Sequence, residues 1–156
     1  MDKYGGSNMD NLELQKLIKQ ISLQYFYKPF VGEARFNSRL RTTGGRYIPS
    51  TSVIEINPKY LTELGEQELI GIIKHELCHY HLHIKGKPYH HRSKEFRHLL
   101  KITGSPRFCK ILPSEEQKRT IIYKCQKCGM EYNRKRNVNV QKYRCGKCKG
   151  KLKLVK

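Results

Sequence analysis

The chain has 156 residues and a formal net charge of +19 at pH 7, with 32 Lys and Arg against 13 Asp and Glu. This length allows one core of about a hundred residues and a second, small module that a metal ion would have to stabilise. No apolar run approaches the ~20 residues that span a membrane, and no signal peptide is visible, so we expect a soluble protein of the cytoplasm. We also expect a monomer.

The first third of the chain predicts a helix followed by two strands. Residues 1–10 are expected to be a flexible lead. Apolar residues then recur at helical spacing and predict an amphipathic helix over residues 11–26. Residues 34–40 and 47–56 are predicted strands, and the Thr-Thr-Gly-Gly sequence at 42–45 is expected to join them as a hairpin turn.

The centre of the chain carries the motif His75-Glu76-Leu77-Cys78-His79. Apolar spacing around it predicts a helix from residue 62 or 64 to residue 84, with His81 on its solvated side. Positions four apart share a helix face, so His75 and His79 can reach one metal ion. Glu76 projects beside them and can take a proton from water. The motif therefore indicates a zinc-dependent peptidase with two histidine ligands and Glu76 as its general base.

A third ligand must come from the residues after the motif, and the candidates are His81, His83, His90, His91 and Glu95. His81 is excluded because it points to another side of the helix. His83 is excluded because it lies about 12 Å along the helix axis from His75. A helix break at residues 86–88 lets the chain turn back before a second predicted helix at residues 93–103. Spacing alone leaves the choice between His90 and His91 open, and a carboxylate ligand is a further alternative.

The last quarter of the chain predicts a second metal site. Cys125-x-x-Cys128 and Cys145-x-x-Cys148 have sixteen residues between them, a spacing typical of structural zinc sites. Four thiolates fill a tetrahedral shell, so this zinc would fold the segment and would not catalyse. Gly129 and Gly146 suit the tight turns, and short strands are expected between the cysteine pairs. We therefore predict a linker at residues 113–120 and a zinc ribbon at residues 121–156, in preference to disulfides.

The ribbon is also strongly basic. Residues 119–156 contain thirteen Lys or Arg and a single acidic residue, which gives this segment a charge of +12. Such a surface binds phosphate backbones through counterion release, and interleaved tyrosines can stack on unpaired bases. We expect sequence-independent binding to DNA, with single strands as one candidate form, through Arg134, Lys135, Arg136, Lys142 and Arg144. The alternative is a ribbon that is merely basic or that binds an acidic protein.

The central motif, the segment His91-Arg92-Ser93-Lys94-Glu95-Phe96 and the cysteine ribbon together resemble the SprT-like family of zinc metallopeptidase-like proteins, whose eukaryotic relatives include the Spartan protease. The resemblance implies an α+β fold, with a minimal gluzincin-like catalytic domain at residues 11–112 followed by the ribbon. It also implies that His91 is the third ligand and that the substrates are proteins bound or crosslinked to DNA. A metzincin is excluded, because Leu82 and Lys85 stand where that class has Gly and His.

A function in another class remains as an alternative. The chain could be a non-catalytic zinc-ribbon protein that binds nucleic acid in transcription or repair, with a vestigial or structural histidine site. Glu76 argues against this alternative, because a structural metal site does not need a general base. We therefore predict an enzyme with two zinc ions, one catalytic and one structural.

Overall fold

The computed structural model describes residues 8–118 and 120–155. The chain divides into two compact units, Met1–Leu112 and Pro113–Lys156. Four helices and a three-stranded sheet form the first unit, and a second three-stranded sheet carries the cysteine pairs of the second. The predicted α+β class is confirmed.

The first helix, α1 (Asn11–Ile21), continues into a π-helical turn (Ser22–Phe26), so the predicted helix has the expected extent but a wider last turn. Asp10 caps α1 by accepting a hydrogen bond from the backbone N–H of Glu13 at 2.8 Å. Most of the predicted lead, residues 1–7, lies outside the described residues. Met9 already packs in the core of the first unit.

The sheet of the first unit has the order β1-β3-β2, with strands β1 (Glu33–Phe36), β2 (Gly45–Ile48) and β3 (Val53–Ile56). β1 is parallel to β3, and β2 is antiparallel to β3. The predicted hairpin turn at residues 42–45 is therefore wrong, because the tight turn joins β2 to β3 instead. The reason is burial: all four residues of β3 are buried, so β3 takes the central position and separates the other two strands.

A buried carboxylate fixes the register of these strands. Glu55 on β3 is 3% exposed, and its carboxylate accepts hydrogen bonds from Arg46 on β2 and from Arg35 on β1, the latter at 3.1 Å. Burial raises the pKa of the Glu55 carboxyl, but the hydrogen bonds from Arg46 and Arg35 outweigh this effect and leave its pKa below the usual value. Each outer strand therefore contributes one cation to the same central anion.

Three helices follow the sheet: α2 (Pro58–Leu64), α3 (Glu66–Ile84) and α4 (Lys94–Thr103). The predicted central helix is confirmed from residue 66 onward. Its expected start at residue 62 or 64 falls in α2, because Gly65 adopts a positive φ of 92° and separates the two helices. Ser93 caps α4, and Gly104 ends it in the left-handed region, so the prediction for residues 93–103 holds.

The expected position of His81 is wrong. Its side chain is 2% exposed, its ring stacks on Phe26 with centroids 4.8 Å apart, and its Nε2 lies 2.7 Å from the hydroxyl of Ser22. The π-helical turn covers this face of α3, which periodicity alone had assigned to solvent.

The second unit begins with a short helix, α5 (Pro113–Lys118), in the predicted linker. Its antiparallel sheet has the order β5-β4-β6, with strands β4 (Ile121–Cys125), β5 (Glu131–Arg134) and β6 (Leu152–Leu154). Only β5 lies between the cysteine pairs, so the remainder of the predicted strand region is loop. No helix in the described parts of the chain is long and apolar enough to cross a membrane.

Candidate metal centres

Three histidines of the first unit converge on one point. Helix α3 places His75 and His79 one turn apart, and the loop between α3 and α4 brings His91 back to them. The Nε2 atom of His91 lies 3.1 Å from Nε2 of His75 and 3.1 Å from Nε2 of His79. Nitrogen ligands of a tetrahedral zinc ion, at bond lengths near 2.05 Å, are about 3.3 Å apart. The spacing of the three nitrogens therefore matches what zinc requires.

Hydrogen bonds to the backbone orient two of these rings. Nδ1 of His75 donates to the carbonyl oxygen of Pro106 at 2.8 Å, and Nδ1 of His79 donates to the carbonyl oxygen of Tyr89. A carbonyl only accepts, so each Nδ1 carries the proton and each Nε2 presents a free lone pair. Burial, reinforced by the neighbouring imidazoles, lowers the pKa of His79 to about 4, and burial likewise lowers the pKa of His75. Both rings are thus held in the neutral form that binds metal.

The other ligand candidates lie elsewhere. His83 is hydrogen-bonded through Nδ1 to the hydroxyl of Tyr47 at 2.6 Å, and Glu95 lines a different cavity. His90 lines a cleft beside the histidine cluster but is not one of the three convergent residues. Among the described residues, the structure therefore groups His91 with the two motif histidines, as the family resemblance implied.

Glu76 faces the same region from α3. Its side chain is 6% exposed, and burial raises the pKa of its carboxyl to about 8. A divalent cation held by the adjacent imidazoles would favour the carboxylate and counteract this effect. Glu76 lines both of the clefts that flank the histidines, so it can reach a molecule bound in either.

The ring of Phe96 contacts the rings of all three histidines. It is fully buried, stacks on His79 with centroids 4.2 Å apart, and meets the rings of His75 and His91 at 5.3 and 5.2 Å. In the sequence, Phe96 ends the segment that carries the family resemblance, and no contact with the histidines is predicted for it. Its contact with the imidazoles depends on how α4 packs against α3, and no sequence pattern predicts this packing.

Two clefts, of about 270 and 410 Å³, flank the histidine cluster. Both are lined by Thr43 and Gly45, at the start of β2, which is an outer strand of its sheet. A Cβ atom on Gly44 would lie 2.8 Å from Cδ1 of Ile72, so a larger residue at this position would require the end of the Ile72 side chain to move. The Gly-Gly pair is the sequence signal for this region, and it predicts a hairpin turn that the structure does not form here.

The four cysteines of the second unit also converge. Sγ of Cys125 is 3.4 Å from Sγ of Cys148, and Sγ of Cys128 is 3.6 Å from Sγ of Cys145. These separations exceed the 2.05 Å of a disulfide by far and approach the roughly 3.8 Å between thiolates of a tetrahedral zinc site. All four cysteines are free thiols, so the donor set is that of a structural zinc ion.

Backbone and side-chain hydrogen bonds lower the pKa of two of these thiols, Cys125 and Cys145. The hydroxyl of Tyr132 lies 3.1 Å from Sγ of Cys145, and this contact, with backbone N–H groups, lowers the pKa of Cys145 to about 6. The residues after each pair, Gly129 and Lys149, have positive φ values of 77° and 61°. Gly146 lies in the turn of the second knuckle, as expected, but without a positive φ, because the left-handed residue of this knuckle is Lys149, three positions later.

The predicted basic residues are spread over the ribbon. Arg134 and Arg144 line one cleft of about 560 Å³ together with Tyr132 and Tyr143. Arg136 and Lys142 are exposed outside this cleft, and Lys135 forms an ion pair with Glu116 at 3.2 Å. The structure thus brings two of the five together beside aromatic rings.

Comparison with known proteins identifies the class to which this fold and these donor sets belong. Residues 14–120 match the SprT-like family, and residues 119–156 match the SprT-like zinc ribbon domain. The chain belongs to the SprT-like family.

Similar proteins include three called Protein SprT-like, from Bacillus anthracis, Bacillus cereus and Bacillus thuringiensis. Each is 55% identical over 149 residues, which cover 95% of this chain and 98% of the relative. The chain is also similar to the crystal structure of the metallopeptidase zymogen of Pyrococcus abyssi abylysin. That similarity has a TM-score of 0.45 and 22% identity, and it covers 57% of this chain and 77% of the other.

Proposed function

We propose that the protein is a zinc-dependent metallopeptidase in which His75, His79 and His91 hold the ion and Glu76 is the general base. The observation that carries this proposal is the convergence of three Nε2 atoms, in which Nε2 of His91 lies 3.1 Å from Nε2 of both His75 and His79. The carboxylate of Glu76 lines the clefts beside them. Three imidazoles leave a fourth position open, unlike the closed four-cysteine set of the ribbon.

Each residue of the site then has a defined task. When bound, zinc supplies a positive centre that acidifies water and polarises a carbonyl group. Glu76 takes the proton of the attacking water and passes it to the leaving amine. The outer strand β2 presents its main-chain groups beside both clefts, so an extended substrate can pair with it as an added strand.

We further propose that the substrates are proteins associated with nucleic acid, including proteins crosslinked to DNA. The support is the charge of +12 over residues 119–156 and the cleft in which Arg134 and Arg144 lie beside two tyrosines. The ribbon would bind a phosphate backbone without reading sequence and would bring the catalytic unit to its substrates. A second zinc ion, held by the four cysteines, would keep the ribbon folded.

The catalytic part is tested by comparing the zinc-loaded wild type with Glu76→Gln, using a DNA-binding protein as substrate. Loss of a general base lowers rates by about 10²–10⁴-fold, so we expect cleavage by the wild type and almost none by the variant. Glu66→Gln on the same helix is the matched control and should retain activity. Equal cleavage by wild type and Glu76→Gln, with equal zinc contents, would show that Glu76 is not the base.

The nucleic-acid part is tested separately by binding to single-stranded DNA over a range of salt concentrations. The pair Arg134→Gln/Arg144→Gln should lower the slope of log affinity against log salt by about 1.4, because two phosphate contacts are lost and each contributes about 0.7 on a single strand. Lys94→Gln/Lys101→Gln removes the same charge from α4 and should leave the slope unchanged. If both pairs lower it equally, DNA binding is a property of the overall charge and not of the ribbon cleft.

A further inference from the structure

A third cavity of the first unit is separate from the proposed catalytic centre. It has a volume of about 310 Å³ and lies between the π-helical turn, the end of α3 and the outer face of α4. None of the three convergent histidines lines it, and neither does Glu76. Three lysines do line it, namely Lys28, Lys85 and Lys87, so the cavity carries an excess of positive charge.

The positive charges of these lysines repel one another when no anion is bound between them. Lys28 and Lys85 line the same cavity, and the proximity of Lys28 is the largest cause of a lowered pKa at Lys85. Two ammonium groups have only donors, so neither can satisfy the other. Glu95 is the one carboxylate among the residues that line the cavity, and it leaves two of the three positive charges without compensation.

The backbone beside the lysines has an unusual conformation. The π-helical turn Ser22–Phe26 is followed by Tyr27 in the left-handed region, with a φ of 57°, and the Tyr27 side chain is 86% exposed. Both π-helical turns and left-handed residues other than glycine are uncommon and are concentrated at functional sites. Here they hold an aromatic ring at the edge of the cavity, directly before Lys28.

His81 also lines the cavity, and its side chain is almost completely buried. The hydroxyl of Ser22 donates to the carbonyl oxygen of Lys28 at 2.6 Å, so Nε2 of His81 is the donor in its hydrogen bond with Ser22. Nδ1 of His81 is therefore an acceptor, and it has no hydrogen-bond partner among the described residues. An acceptor does not bind a phosphate oxygen, so the lysines are the groups of this cavity that suit an anion.

We propose that this cavity binds a phosphate group whose ligand also carries a flat ring. Lys28 and Lys85 bind the phosphate oxygens, and the ring stacks on Tyr27. Phosphate matches the site better than a carboxylate, because its charge of about −1.5 to −2 is close to the uncompensated charge of the lysines. The cavity is larger than one phosphate group and leaves room for the ring. This proposal does not depend on peptidase activity.

The test is a titration of the full, zinc-loaded chain with inorganic phosphate. Binding is monitored through the NMR signals of the Tyr27 and His98 rings, which line the cavity. We expect a saturable shift that Lys28→Gln/Lys85→Gln weakens about tenfold or more, because two charge-assisted contacts are lost. Lys16→Gln/Lys19→Gln, on the exposed face of α1, removes the same charge and should leave binding unchanged. A shift that does not saturate, or an equal loss in both variants, would overturn the proposal.

Two further probes distinguish the source of the phosphate. Thymidine 5′-monophosphate carries a phosphate monoester, whereas a thymidine dinucleotide carries only an internal diester. Tighter binding of the monophosphate points to a free nucleotide, and equal or tighter binding of the dinucleotide points to a nucleic-acid strand. In either case Tyr27→Ala should weaken the nucleotide about tenfold and leave inorganic phosphate unaffected. If Tyr27→Ala has no effect on the nucleotide, the stacking part of the proposal is wrong.

Discussion

Replacing Phe96 with leucine tests whether an apolar ring holds the three imidazoles in position. Phe96 is fully buried and stacks on His79 at 4.2 Å. Leucine is smaller by roughly 20 Å³, which costs about 0.5 kcal/mol as a cavity. Loss of the stacked pair costs about 0.5–1.5 kcal/mol more. The free energy of unfolding of the first unit should therefore fall by about 1–2 kcal/mol.

The effect on metal binding should exceed the effect on stability. Groups that orient metal ligands change affinity by about 10–100-fold, so zinc should bind the histidine centre of Phe96→Leu at least about tenfold more weakly. Unfolding is followed by the helical circular dichroism signal, and zinc affinity by competition with a chelator. Leu100→Val, one turn further along α4, should cost about 1 kcal/mol without weakening zinc. Wild-type affinity in Phe96→Leu, or equal weakening in both variants, would refute the role of the ring.

The remaining predictions concern metal content and acid stability. Zinc analysis should find two ions per chain in the wild type, and one in Cys145→Ser and in His75→Ala, because the two donor sets lie in separate units; a loss of both ions in either variant would contradict this independence. Glu55→Gln should lower the free energy of unfolding near neutral pH by about 1–2 kcal/mol, since a buried acceptor of two charged donors is weakened. Because the pKa of Glu55 is lowered in the folded state, its stabilisation is present above the unfolded pKa and is lost as pH falls through the folded pKa. Urea unfolding at several pH values should therefore show wild type and variant converging in acid, and a constant difference would contradict the sign.

Periodicity predicted α1, α3 and α4 of the first unit well, because burying one face of a helix leaves a repeating pattern in consecutive residues. The helix at residues 93–103 and the extent of the first helix followed from this pattern alone. It was less informative about which element covers each face. Periodicity places His81 on the solvated side of its helix, because the pattern within one helix does not show that Phe26 packs over this position in the folded chain.

Strand pairing required the tertiary structure. Two apolar segments separated by a Gly-Gly pair are compatible with a hairpin, but they do not specify their partners. The burial of all four β3 residues, including a carboxylate shared by Arg35 and Arg46, places β3 between the other strands. The same arrangement leaves β2 at the edge beside the histidine cluster, and the sequence did not indicate this.

By itself, the sequence determined the chemical character of both metal centres, because ligand type and spacing are local properties. His75, Glu76 and His79 lie on one helix, and the two cysteines of each pair are three residues apart in the sequence. Only the tertiary structure decided which distant residue joins the first centre, since His90 and His91 are neighbours and differ only in where the folded loop points them. It also supplied the carbonyl groups that orient two of the histidines and the ring of Phe96, because these contacts join segments that have no common pattern in the sequence.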